Sequence, residues 1–120
     1  MDSYFKKAND YYNKKDYKKA ILLYQKSIET QGNEACSLYN SAVGYIKLKE
    51  YHKAIELLKQ ALEIKIDHKY LFNLAYCYSL LEDNSKALTY FNWSWAYNHE
   101  DYECKKAISM ILDSYNKSTK

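Results

Sequence analysis

The sequence has 120 residues, a length that fits one domain and suffices for a hydrophobic core without disulfide bonds. Its formal net charge is only +3, from 18 basic and 15 acidic residues, and every basic residue is a lysine. A nucleic-acid surface would therefore lack the bidentate contacts that arginine makes. Proline is absent and glycine occurs only twice, which excludes a flexible linker and predicts one compact body.

We expect neither a membrane-spanning nor a secretory segment in this sequence. Every apolar run in the first thirty residues is broken by one of the lysines Lys6, Lys7, Lys14, Lys15, Lys18 and Lys19. Cys36, Cys77 and Cys104 are odd in number and widely spaced, which is typical of buried or half-buried thiols in a reducing compartment. We expect a cytoplasmic protein that does not bind membranes.

An internal repeat is the strongest pattern in the sequence. Ala8, Ala42 and Ala75 recur at intervals of 34 and 33 residues, and Ala20, Ala54 and Ala87 recur at the same intervals twelve residues later. A repeat of this length is one supersecondary unit, which buries its apolar face only by stacking on its neighbours. The alanines predict the places where two helices cross too closely for a larger side chain.

In the first repeat, apolar residues predict two helices. Tyr4, Ala8, Tyr11 and Tyr12 have the three- and four-residue spacing of one helix face. The polar stretch 13–16 predicts a tight turn, in which Asp16 can cap a second helix. Gly32 suits the C-terminal end of that second helix.

The second and third repeats follow the same order, with polar breaks at residues 49–50 and 82–84. The predicted repeats cover about residues 1–34, 35–67 and 68–101. A seventh helix, from about 101 to 116, lacks a partner helix and should cap the stack, and residues 117–120 form a polar tail. The prediction is a single all-α domain over residues 1–120.

The three repeats share one residue pattern. The first helix has an aromatic residue or leucine, a small residue and a tyrosine; a polar turn follows, and the second helix has a small and a bulky residue. The first repeat matches through Tyr4, Ala8, Tyr11, Tyr17, Ala20, Tyr24 and Ser27. The second matches through Leu38, Ala42, Tyr45, Tyr51, Ala54, Leu58 and Ala61, and the third through Leu71, Ala75, Tyr78, Ala87, Phe91 and Ser94. This pattern resembles the tetratricopeptide repeat (TPR) family. The usual junction proline is absent, and Lys7 and Ser41 replace a leucine.

The resemblance implies seven helices in a right-handed superhelical stack of antiparallel pairs, a TPR solenoid. It also implies a concave groove, lined by the first helices, that holds a peptide or a partner's helix. Carried over residue by residue, the groove comprises Phe5, Asn9, Tyr12, Tyr39, Asn40, Val43, Lys69, Phe72, Asn73 and Tyr76. The implied function is that of an adaptor or scaffold for another protein, with no catalytic residues, cofactor or metal.

The aromatic residues of this groove have two interpretations. Tyrosine is the commonest large residue of the chain, so Tyr12, Tyr39 and Tyr76 can simply stack on neighbouring helices. Alternatively, Phe5, Tyr39 and Phe72, which occupy the same place in successive repeats, form an exposed ladder. Such a ladder would bind peptides that carry leucine or aromatic residues.

A narrower alternative is the carboxylate clamp with which some TPR co-chaperones hold the acidic C-terminus of a heat-shock chaperone. Asn9, Asn40 and Lys69 match three of its five places, whereas Phe5 and Asn73 stand where the clamp has cations. One cation is left to meet a doubly charged terminus, so charge-assisted pairing would be much reduced.

Other function classes have less support in the sequence. Other helical-repeat families read RNA, and tyrosines can stack on bases, but the near-balanced charge argues against a nucleic-acid partner. No two histidines have a spacing that puts metal ligands on one helix face, and there is no Gly-rich phosphate loop. We therefore expect no enzyme. Weak self-association through the groove or an incompletely capped end is a further alternative.

Overall fold

The computed structural model describes residues 3–32 and 34–118, with Gln31 and Ser118 described by their backbone alone. Within these residues the chain forms seven α-helices and no β-strand. The helices are α1 (Tyr4–Asn13), α2 (Tyr17–Gln31), α3 (Glu34–Lys47), α4 (Tyr51–Ile64), α5 (His68–Leu80), α6 (Asn84–Tyr97) and α7 (Tyr102–Ser118). The predicted number and order of helices are confirmed. The predicted tail is shorter than expected, because Lys117 is helical, and Thr119 and Lys120 lie outside the described residues.

The helices group into two compact units. The first, Met1–Ile66, contains α1 to α4, and the second, Asp67–Lys120, contains α5 to α7. In the first unit α1 packs on α2, α2 on α3, and α3 on α4; in the second unit α5 packs on α6, and α6 on α7. The single domain over residues 1–120 stays a prediction.

All three helix pairs turn through the same backbone geometry. Lys15, Lys49 and Glu82 adopt left-handed conformations, with φ of 66°, 62° and 63°. The next residue in each turn is acidic, and its N–H donates at 2.9 Å to the carbonyl oxygen of a first-helix tyrosine, in the pairs Asp16–Tyr11, Glu50–Tyr45 and Asp83–Tyr78. This bond gives a hydrogen-bond donor to one of the carbonyl groups in the last turn of the first helix.

The turn residues also begin the second helices. The carboxylates of Asp16 and Asp83 accept the backbone N–H of Lys19 and Lys86, at 3.3 and 3.2 Å. Asp16 is thus the N-cap that the sequence predicts. At the other end of α2, Gly32 has a φ of 75°, the left-handed conformation that glycine adopts without strain.

A lysine on each second helix lies over a tyrosine of the first. The Nζ atoms of Lys19, Lys53 and Lys86 are 5.3, 5.6 and 5.4 Å from the ring centroids of Tyr11, Tyr45 and Tyr78, respectively. Cation–π contacts of this kind contribute about 0.5–1 kcal/mol each at exposed sites. They join the two helices of each pair at the end where the chain turns.

The repeated alanines lie in the core, as the sequence predicts. All six alanines of the two series are fully buried: Ala8, Ala20, Ala42, Ala54, Ala75 and Ala87. In the first pair Ala8 and Ala20 share one core cluster with Tyr24, against which Phe5 packs. Gly44 extends the close packing to α2 and α3, because a Cβ atom added there would lie 3.1 Å from Cγ1 of Ile21.

We predict that Ala54→Leu lowers the free energy of unfolding by about 1–3 kcal/mol, because the added side chain overpacks the contact between α3 and α4. Gln60→Leu is the matched control, since Gln60 is exposed on the same helix. Urea unfolding followed by circular dichroism measures both. Equal stability of the two variants would show that Ala54 is not at a close helix contact.

Candidate functional site

Most of the predicted groove residues of the first unit line one cavity. Asn9 and Tyr12 on α1 and Tyr39, Asn40 and Val43 on α3 surround a cavity of about 290 Å³. The three- and four-residue spacing within each set puts Asn9 and Tyr12 on one side of α1, and Tyr39, Asn40 and Val43 on one side of α3. The structure thus brings together five side chains that the sequence placed in the groove.

The same cavity has a wall that the sequence analysis missed, Tyr24 on α2. Its phenol donates a hydrogen bond to Oδ1 of Asn9. Burial raises the pKa of Tyr24 to about 12, and the neighbouring Tyr12 contributes to this rise. The phenol therefore remains a donor at neutral pH, and Asn9 keeps its amide N–H groups for other acceptors. The repeat pattern marks Tyr24 only as the bulky residue of the second helix.

The predicted groove aromatics Phe5 and Tyr12 both stack inside their own helix pair. The ring of Phe5 meets the ring of Tyr24 edge-on, with centroids 5.7 Å apart. Tyr12 meets Tyr17 in the same way at 5.3 Å. Burial raises the pKa of Tyr12, with a smaller contribution from Tyr17. Each ring is half-buried, so the contacts within the helix pair cover only part of it.

The other four predicted residues lie in the second unit and line two cavities. Phe72 and Tyr76 on α5 face Met110 and Ile111 of α7 across a cavity of about 440 Å³. Lys69, Phe72 and Asn73 line a second cavity, of about 400 Å³, whose other wall is residues 98 and 100–103. Helix α7, expected only to cap the stack, thus faces the groove side of α5.

Phe72, like Phe5, packs against an aromatic ring of the second helix of its own pair. Its ring meets the ring of Phe91 edge-on, with centroids 5.3 Å apart. Phe91 occupies in the third repeat the place of Tyr24 in the first. The ladder residues Phe5 and Phe72 are therefore anchored to the second helix of their own pair, and only part of each ring is available to a partner.

Acidic side chains line the same cavity as Lys69, the one predicted groove residue that carries a positive charge. Lys69 shares its cavity with Glu100, Asp101 and Glu103. Asp101 accepts the backbone N–H of Cys104 at 3.2 Å and so caps α7. The amide of Asn73 donates to the carbonyl oxygen of Lys69 at 2.9 Å. This arrangement opposes an acidic ligand at the place where a carboxylate clamp would hold one.

Two of the three cysteines, Cys77 and Cys104, are buried. Burial raises the pKa of Cys77 to about 12, and burial also raises the pKa of Cys104. The Cys104 thiol donates to the carbonyl oxygen of Phe91 at 3.1 Å. Cys36, expected to be buried or half-buried, is exposed, because it lies in the first turn of α3 on the solvent side.

Among the residues that the structure describes, no three His, Cys, Asp or Glu side chains are grouped so that they could hold a metal ion. None of the helices in residues 3–32 and 34–118 has the length and apolar character needed to cross a membrane.

Comparison with known proteins decides the family. Models of the tetratricopeptide repeat match residues 2–34 and residues 33–96, the second alone covering more than half of the chain. The chain belongs to the tetratricopeptide repeat family. A search of the curated proteins gave no match.

Solved TPR structures share the fold at low sequence identity. The first TPR of Spaghetti (RPAP3) bound to the HSP90 peptide SRMEEVD is 18% identical with a TM-score of 0.89, and the match covers 94% of this chain and 90% of that one. The Arabidopsis OM64 TPR domain is 20% identical with a TM-score of 0.87, covering 92% and 93%. The second TPR domain of human RPAP3, in complex with the HSP70 peptide SGPTIEEVD, is 21% identical with a TM-score of 0.85, covering 92% of each chain. These matches confirm the all-α TPR solenoid fold.

We predict that Tyr24→Phe lowers the free energy of unfolding at neutral pH by about 1 kcal/mol, because Asn9 loses its donor. A phenol whose pKa rises from 10.0 to about 12 on folding stabilises the protein fully below pH 10 and loses that contribution as pH rises to 12. Between these values the stability of the wild type should therefore fall more steeply than that of the variant. Denaturant titrations at a series of pH values measure the two slopes.

The matched control is Tyr97→Phe, since Tyr97 is an exposed tyrosine of α6. The profile of this variant shows what the loss of a solvent-exposed tyrosine hydroxyl does to stability. Parallel profiles for the wild type and Tyr24→Phe would contradict the role assigned to Tyr24.

Proposed function

We propose that the protein is an adaptor that binds a peptide or a helix of another protein on the first helices of its repeats. The observation that carries the proposal is the cavity of the first unit, where Asn9, Tyr12, Tyr39, Asn40 and Val43 converge. It combines aromatic surface with amide groups, the mixture with which protein surfaces hold an extended or helical segment. Family membership supports a role in protein binding.

The solved relatives support the same kind of ligand. The RPAP3 domains are described with chaperone peptides bound to them, SRMEEVD for the first and SGPTIEEVD for the second. We propose that this chain uses the same fold for a peptide of its own. The proposal includes a single binding domain over residues 1–120, no catalytic activity, and neither a nucleic acid nor a membrane as partner. A cytoplasmic location belongs to it as well, since the free thiols fit a reducing compartment.

The carboxylate clamp is the second candidate. Asn9 and Asn40 line one cavity, which favours it. Against it, the ring of Phe5 packs on Tyr24 where the clamp has a cation, and acidic residues share the cavity of Lys69. A titration with an acidic C-terminal peptide that saturates at micromolar concentration would revive this candidate.

Affinity capture from the source cell tests the proposed function with two matched double variants. Asn40→Ala/Tyr76→Ala removes one asparagine and one tyrosine from the cavities; Tyr76 is 41% exposed. Asn92→Ala/Tyr97→Ala removes the same residue types from exposed positions of α6. Phe5 and Phe72 are left unchanged because each packs on a second helix.

We expect a partner that the wild type and the α6 variant both retain and the cavity variant loses. The affinity of that partner for the cavity variant should fall by on the order of tenfold, the usual effect of truncating residues central to an interface. Circular dichroism should show the same helix content in all three proteins. A partner lost only with Asn92→Ala/Tyr97→Ala would place the interface on the second helices and contradict the proposal.

A further inference from the structure

The second unit carries an open cleft between α5 and α7, here called the α5–α7 cleft. It consists of the two cavities of about 440 and 400 Å³, which share Phe72 and Glu103. Because both cavities have these two residues in their walls, the cavities are neighbours on the same side of the second unit.

One end of the α5–α7 cleft presents accessible apolar side chains, in a wall that also includes Lys106 and several uncharged polar residues. Met110 is 63% exposed and Tyr76 is 41% exposed, although both line the larger cavity. Phe72 and Ile111 form its deeper wall, and Ile111 is buried. Covering such side chains with an apolar group removes hydrocarbon surface from water, and methionine adapts readily to the shape of what covers it.

The other end of the cleft is acidic. Glu100 and Glu103 make no ion pair with any residue in the described ranges, and Lys69 is the one lysine in the wall of this cavity as described. The charge of Asp101 is directed at the N-terminus of α7, which it caps. Tyr102, in the same wall, is 70% exposed, and a tyrosine ring attracts a cation placed over its face. Carboxylates beside an exposed aromatic ring complement a positively charged side chain.

We infer that the α5–α7 cleft binds a partner segment in which an apolar side chain stands next to a lysine or arginine. The apolar side chain enters the larger cavity against Phe72 and Met110. The basic side chain lies between Glu100, Glu103 and Tyr102. This inference rests on the proposed function and specifies a positively charged partner segment. Its charge is opposite to that of the acidic peptides bound by the RPAP3 domains.

The experiment uses the full chain and a library of random twelve-residue peptides displayed on phage. Four proteins are compared: the wild type, Glu100→Gln/Glu103→Gln, Glu100→Lys/Glu103→Lys, and the control Glu29→Lys/Glu63→Lys. The control makes the same change of net charge at exposed positions of α2 and α4. Thermal unfolding of each protein shows whether α7 tolerates the changes; the glutamine pair keeps the test valid if the lysine pair unfolds.

We expect the wild type and the control to enrich peptides with an apolar residue beside a lysine or arginine. The glutamine variant should lose the basic preference and the lysine variant should enrich acidic peptides instead. A peptide selected on the wild type should bind the glutamine variant about tenfold more weakly, a change of about 1.4 kcal/mol.

Three outcomes overturn the inference. Enrichment of acidic peptides by the wild type leaves the adaptor function standing and supports a carboxylate ligand. Basic peptides enriched equally by all four proteins place their site outside the α5–α7 cleft. No enrichment by any protein refutes the basic partner, and affinity capture then decides separately whether the protein is an adaptor.

Discussion

The close contact between the two helices of each pair is the constraint on which the rest of the structure depends. Alanine is fully buried at both places of this contact in all three repeats. Two helix backbones approach closely only where side chains are small, so these positions fix which face of each helix turns inward. The left-handed turn residue, the hydrogen bond that closes the first helix and the lysine–tyrosine contact recur at one register because that face is fixed.

Fixing the inner face also decides which first-helix residues line the cavity of the first unit. Asn9 and Tyr12 on α1 and Tyr39 and Asn40 on α3 are turned toward a shared cavity because Ala8 and Ala42 occupy the contacts within each pair. Packing within the helix pairs also covers part of the first-helix surface. Phe5 and Phe72 are each held by a ring of the second helix, which makes them rigid and half-buried, and leaves their exposed parts in a defined orientation. Rigid aromatic groups lose little conformational entropy on binding.

Structural features that depend on the spacing of residues along the chain could be predicted from the sequence. Features that depend on contacts between residues far apart in the sequence could not. The helix order, the cap at Asp16 and the burial of the alanines follow from spacing and residue type. The role of Tyr24 in the cavity wall depends on its contact with Asn9, fifteen positions earlier in the sequence. The acidic end of the α5–α7 cleft was missed for the same reason, since Lys69 and Glu103 meet only through the packing of the second unit. Cys36 was misjudged because the sequence pattern does not show how the first turn of α3 meets solvent.

The central claim, that the first helices carry the partner, is tested most directly by hydrogen exchange of the backbone amides, measured by mass spectrometry with and without the captured partner. Helical amides exchange through local opening, which a bound segment suppresses where it contacts the helix. We predict slower exchange in α1, α3, α5 and α7 on binding. Protection confined to α2, α4 and α6 would contradict the claim.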